Sequence, residues 1–271
     1  GTVTALKEGT TTIVLSVGGS NLMAKIKIVV KSEFVIENRM LVAYKGLGGD
    51  VVIPDDEGIL YIGAYAFCLY DTDNSIELDE EDYDANKIPA MNTSIKSITI
   101  PDGVEEIQKY AFYNCTGLQS VSIPSSVRFI REYAFYNDVR LENVNLANIE
   151  VIGHYAFKGC EKLKVANLDK AYSLGRRAFE GCTSLETVDL TALRNTGAEV
   201  FKDCTGLQSV VLTENTKLSY GMFVKSGLRK VDIYEKVQIP EFCFANCKDL
   251  TEVTINNDIV QIGHGAFSEC S

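Results

Sequence analysis

Eight cysteines and two histidines stand in this 271-residue chain, residue types that serve thiol catalysis, metal ligation or disulfide stapling. Their spacing argues against all three. Cys115, Cys160, Cys182, Cys204, Cys247 and Cys270 each lie three residues after a phenylalanine, and the same slot holds Asp138 and Ser226 elsewhere. Such a slot wants a small, weakly polar group, and a buried reduced thiol with a weak S–H donor fits it. No Cys-x-x-Cys pair occurs, so the thiols read as reduced and structural, with Cys68 and Cys243 out of register. His154 and His264 fall three residues before a phenylalanine, where other copies carry Lys109, Glu132 and Arg176. A variable, solvated slot does not position a general base. The chain is expected to be non-enzymatic, with no catalytic residues and no cofactor.

Oxygen ligands gather once. Asp71, Asp73, Ser75, Asp79 and Asp82 follow the oxygen positions of an EF-hand loop, but Ile76 occupies the place of its turn glycine. A solvated acidic loop is the first reading of this stretch, and a calcium site is the weaker alternative.

Aromatic binding anchors gather as well. Tyr110 and Tyr113, then Tyr133 and Tyr136, lie two before and one after a phenylalanine, with Tyr155 and Tyr65 in the former slot. Tyrosine is enriched where binding energy concentrates. Tyr113 and Tyr136 are expected to be exposed, whereas Tyr110 and Tyr133 are expected to be half-buried packing residues between turns.

The phenylalanines that organise all of this recur like a clock. Phe67, Phe112, Phe135, Phe157, Phe179, Phe201, Phe223, Phe244 and Phe267 are separated by 45, 23, 22, 22, 22, 22, 21 and 23 residues. A period in the low twenties marks a solenoid, whose turns bury their apolar faces only by stacking. Aligned on phenylalanine, a turn reads V-x-x-I-x-x-x-A-F-x-x-C-x-x-L-x-x-V-x-L/I, as in Val104, Ile107, Ala111, Phe112, Cys115, Leu118, Val121 and Ile123. The L-x-x-V-x-L run places apolar residues two apart on one side of a strand, so copies one period apart should pair as a parallel sheet. Val104-x-x-Ile107 reads as a second short extended segment, and Ala-Phe-x-x-Cys as a short helical turn. The predicted class is an α/β repeat solenoid of about nine to ten turns of 21–23 residues over 32–271. The 45-residue gap equals two periods, and Ile76, Leu78 and Ala90-Met91 read as a degenerate turn with a loop.

Outward positions of the L-x-x-V-x-L strands, such as Ser97, Thr99, Ser120, Ser122, Asn143 and Asn145, are small and polar. That face offers no platform for stacking sugars. Before the repeats, residues 1–31 show alternating β segments from Thr10 to Val17 and Ala24 to Val30 around Gly18-Gly19-Ser20-Asn21, a hairpin signal. A lone hairpin is marginal, so it belongs to a larger sheet or docks on the solenoid, and residues 1–31 read as a first domain. A formal net charge of −11 excludes a nucleic-acid or anionic-membrane surface, and no apolar run approaches the ~20 residues of a membrane helix. The pattern opens and closes in mid-unit, so the chain reads as a piece of a longer one.

The repeat resembles the BspA-like leucine-rich repeats of bacterial surface proteins, and Leu41, Tyr44 and Gly48-Gly49-Asp50-Val51-Val52-Ile53-Pro54 look like that family's opening turn. Residues 1–31 resemble the second half of a bacterial Ig-like domain of the intimin/invasin type. Both resemblances imply secretion and extracellular or cell-surface display. They also imply a monomeric adhesion or recognition module for a protein or glycoprotein of host matrix, mucin or another cell surface. The alternative is a passive spacer or substrate-targeting appendage of a larger secreted enzyme.

Overall fold

The structure, a computed structural model, describes residues 9–16 and 23–30 through their backbone and 32–68, 92–212, 216–233, 238–255 and 261–270 in full. Its axis is the phenylalanine clock. The nine rings from Phe67 to Phe267 stack on one another in sequence, with centroids 4.8–5.6 Å apart. Those from Phe67 to Phe244 are fully buried. Each contributes roughly 1.5–3 kcal/mol relative to an exposed ring, and each can do so only because a neighbouring turn covers it. Tyr44 heads the column, its ring 5.4 Å from that of Phe67, and so fills the phenylalanine slot of the first coil.

Two parallel ladders flank this column. One joins Asn195–Thr196, Ser173–Leu174, Val151–Ile152, Phe129–Ile130, Glu106–Ile107, Tyr61–Ile62 and Met40–Tyr44. These are the V-x-x-I segments of the repeat. At one edge Phe34–Glu37 pairs antiparallel with Met40–Tyr44 through a tight turn whose residues Asn38 and Arg39 have φ of 50° and 64°. The other side carries the L-x-x-V-x-L segments in register, Val51 beside Ile98, Ile98 beside Val121 and Val121 beside Val144. The same pairing resumes at Val210, Val231 and Val253.

The 45-residue gap is one coil with an insertion, not two coils. Phe67 stacks directly on Phe112 at 4.8 Å, Tyr61–Ile62 pairs with Glu106–Ile107, and Gly49–Val52 pairs with Ile95–Thr99. The strand positions expected at Ile76 and Leu78 are occupied by Ile98 and Ile100, both buried, and buried Asn92 takes the cysteine slot. Ring contact leaves no space for an intervening turn. Residues 69–91, with the degenerate turn expected there, lie outside the described residues.

Among the described residues no helix forms, so the Ala-Phe-x-x-Cys segment is a run of turns where a short helix was expected. The cause is backbone handedness. The residues two before and two after each phenylalanine have positive φ, as at Tyr110 and Asn114 (62° and 57°) and Tyr133 and Asn137 (57° and 60°). Alternating handedness points every second N–H toward the following coil. Tyr110, Phe112 and Asn114 therefore donate to the carbonyls of Glu132, Ala134 and Tyr136 at 2.8–3.0 Å. A left-handed residue other than glycine costs roughly 1–2 kcal/mol, and this third ladder of hydrogen bonds offsets it.

Ahead of the repeats, Gly9–Ser16 and Met23–Val30 pair antiparallel, with Ile13 opposite Ile26. The hairpin is as expected; its Gly18–Asn21 turn lies outside the described residues.

Candidate functional site

The cysteine column is structural throughout. All eight cysteines are free thiols, and seven are buried. Cys160, Cys182, Cys204, Cys247 and Cys270 donate Sγ–H to the carbonyl of the phenylalanine one coil earlier, at 3.1–3.2 Å. Burial raises these thiols above their ordinary range, to about 12 for Cys68, which is also opposed by the charge of Asp138. A thiol held protonated is a poor nucleophile. His154 is exposed, and its Nδ1 accepts the backbone N–H of Arg176 at 2.7 Å. Among the described residues no cluster of three or more His, Cys, Asp or Glu is arranged to hold a metal. The calcium alternative at Asp71, Asp73, Ser75, Asp79 and Asp82 falls outside the described residues.

Asp138 is the exception in the cysteine column. It is fully buried, and neither carboxyl oxygen has a partner of good geometry; the Cys115 backbone N–H, bonded to the Phe112 carbonyl at 3.0 Å, favours its charge only weakly. Burial pushes its carboxyl well above the usual carboxylate range.

The tyrosines form a flank on the turn side. Tyr65, Tyr110, Tyr133 and Tyr155 stack nearly flat in one file, with centroids 4.9, 5.0 and 4.9 Å apart. Tyr113 and Tyr136 form a second file at 5.0 Å, set edge-on to the first at Tyr110. The expected division of exposure holds only in part. Tyr110 and Tyr133 are half-buried as expected and Tyr155 likewise, but Tyr136 is half-buried rather than exposed, and Tyr113, 4% exposed, belongs to the packed interior. Positive φ at Tyr65, Tyr110, Tyr133 and Tyr155 turns the first file across the surface of the coil. Sequence spacing alone does not register that turn.

Further along, the two files become an ion network. Lys158 lies 5.6 Å from the Tyr155 ring centroid and pairs with Glu180 at 2.9 Å. Glu180 also binds Lys202, while Glu199 takes Arg177 at 2.7 Å and Arg176 at 3.8 Å. Burial works against ionisation of Glu199, but the Arg177 hydrogen bond and the charges of Arg177, Lys202 and Arg176 outweigh it and hold the carboxyl below its ordinary value. Four bases around two carboxylates make this part of the flank positive in a chain that is acidic as a whole.

On the L-x-x-V-x-L side, Ser97, Thr99, Ser120, Ser122, Asn143 and Asn145 line an open trough of about 670 Å³. It is free of aromatic rings, but Val144 and Val165 also line it, so the small polar residues share this face with aliphatic ones.

Stacked coils, two parallel ladders and a cysteine–phenylalanine column together match one sequence family. A BspA-type leucine-rich-repeat model aligns over residues 49–164, 86–196, 129–240 and 172–271. The chain belongs to the BspA-type leucine-rich-repeat family. Similar solved structures include the Treponema pallidum leucine-rich-repeat protein TpLRR, 22% identical, covering 83% of this chain and 77% of that one, with a TM-score of 0.41. A leucine-rich-repeat protein from Bacteroides ovatus is 20% identical over 98% of this chain and 80% of its own, with a TM-score of 0.35. The pneumococcal vaccine antigen PcpA is 18% identical over 96% and 77%, with a TM-score of 0.47. A comparison with curated proteins finds no match.

For two buried residues the sequence reading gives the position but not the role. Tyr44 lies 23 residues before Phe67, a spacing that could have marked it as the first member of the column. Asp138 fills a slot recognised as small and polar, but nothing in its spacing signals an unpartnered carboxyl.

Proposed function

We propose that the repeats form a non-enzymatic recognition module displayed outside the bacterial cell, binding a protein or glycoprotein partner through the tyrosine flank. The observation that carries this reading is the file Tyr110–Tyr133–Tyr155, stacked at about 5 Å, half-exposed and bordered by Lys158. Stacking immobilises the rings before any partner arrives, so less side-chain entropy is lost on contact. Rigid aromatic anchors beside a desolvatable charge are the usual carriers of interface energy. Tyr136, Tyr133, Tyr155 and Tyr110 are the contact residues in this account, and Tyr113 supports them from beneath.

The hairpin of Gly9–Ser16 and Met23–Val30 is the end of an Ig-like domain that leads into the solenoid near residue 32, in the manner of surface-displayed modules. Membership of the BspA-type leucine-rich-repeat family supports this reading. The experiment is a surface plasmon screen of the purified chain against a panel of extracellular-matrix proteins and mucins. Saturable binding to at least one is expected; no binding to any favours the spacer reading.

A further inference from the structure

On the ladder side that runs from Glu106–Ile107 to Asn195–Thr196, an open groove of about 360 Å³ is lined by His154, Ser173, Arg194, Asn195, Thr196 and Lys217. Among the described residues no carboxylate lines it, although the chain carries a formal net charge of −11. Elsewhere on this side the bases are neutralised: Arg128 pairs with Glu150 and Arg131 with Glu106. Arg194 differs. Its Nη1 donates to the carbonyls of Thr191 and Leu193 at 3.0 and 3.1 Å, neutral acceptors that fix the guanidinium and leave its charge uncompensated. Among the described residues neither Arg194 nor Lys217 joins an ion pair, and both are exposed. His154 accepts at Nδ1, so in its neutral form it presents an Nε2–H donor.

We propose that this groove binds an anionic saccharide, with Arg194 and Lys217 taking its sulfate ester or uronate carboxylate. His154, Ser173 and Asn195 then meet the neighbouring hydroxyls. Guanidinium presents a planar fork that matches either oxyanion, and an ammonium adds a point charge without geometric demand. The rest of the lining alternates hydroxyl, amide and imidazole groups, which suits a ligand with hydroxyls spaced between charges. Its leucines, Leu174 and Leu218, are buried and offer no pocket for an apolar peptide side chain. These residues are distinct from the tyrosine flank, so the site stands or falls independently of the partner assigned there.

The test is calorimetric titration of the full chain at low salt with dextran sulfate, polygalacturonate and neutral dextran. At least one anionic polymer is expected to bind, with sulfate or carboxylate identified by which does, and neutral dextran is expected not to. Arg194→Gln with Lys217→Gln should weaken binding at least tenfold without lowering the melting temperature. Lys96→Gln with Lys109→Gln, which removes the same charge elsewhere, should weaken it less than twofold. Absence of binding to both anionic polymers, equal binding of neutral dextran, or equal weakening by the two variant pairs overturns the assignment.

Discussion

Phe67 and Phe112 lie ring on ring, 4.8 Å between centroids, although 45 residues of chain separate them. The column passes directly from one ring to the other, with no further ring between them. Replacing residues 69–91 by a short Gly/Ser linker is expected to leave one cooperative melt. Because loop closure depends weakly on length, the shift in Tm should stay within ~4 °C, about 1 kcal/mol for a chain of this size. Loss of cooperativity would show that the inserted segment supports the stack.

Asp138 predicts an inverted pH dependence. Burial raises its folded-state pKa well above the ordinary value, so the folded chain holds this proton more tightly than the unfolded one. Its contribution is complete below the unfolded pKa of about 3.9 and is lost as pH rises through the folded value. Asp138→Cys restores the thiol of the column and removes the unpartnered carboxyl, a gain of about 1–3 kcal/mol at neutral pH. Urea melts at pH 5 and pH 8 should show the variant's advantage growing with pH. An advantage that is constant or shrinks with pH contradicts the buried-carboxyl account.

Phe179 is fully buried between Phe157 and Phe201 at 5.3 and 5.6 Å. Phe179→Ala should cost about 3–5 kcal/mol. Exposed Lys164→Ala should change stability by less than ~0.5 kcal/mol. Comparable midpoints for the two in denaturant melts would refute the repeat register.

Thiol labelling reports the cysteine column. Cys270 is half-buried where the other seven are buried, so near pH 8 a thiol reagent should modify it first and leave the other seven. All eight should react after unfolding. Rapid native labelling of Cys160, Cys182 or Cys204 would contradict the Sγ–H bonds to phenylalanine carbonyls.

The column and both ladders were legible because each depends on a residue type recurring at a fixed interval. Phe, Leu and Val face inward for a reason that every coil repeats. The turn side was harder to read. Ala-Phe-x-x-Cys reads as a helical turn, yet Asn114, Asn137 and Asn246, with Gly159 and Gly181, occupy left-handed positions that break one. Those residue types were the available signal. The insertion misled because it is about one repeat long, which spacing cannot distinguish from a worn turn. Exposure of Tyr113 was misjudged because side-chain direction on that flank follows backbone handedness, which a helical spacing rule does not represent.

Recognition by the half-exposed tyrosines is what the proposed function rests on. It is tested most directly by measuring, on whichever matrix protein or mucin binds the chain best, the affinity of Tyr136→Ala with Tyr155→Ala beside that of Tyr136→Phe with Tyr155→Phe. The phenylalanine pair keeps the stacked rings, and aromatic stacking of this kind is worth roughly 0.5–1.5 kcal/mol per pair beyond burial. The account predicts at least a tenfold loss of affinity for the alanine pair, with its folded state confirmed by a cooperative melt, and a loss below threefold for the phenylalanine pair. Unchanged affinity in the folded alanine pair would contradict it.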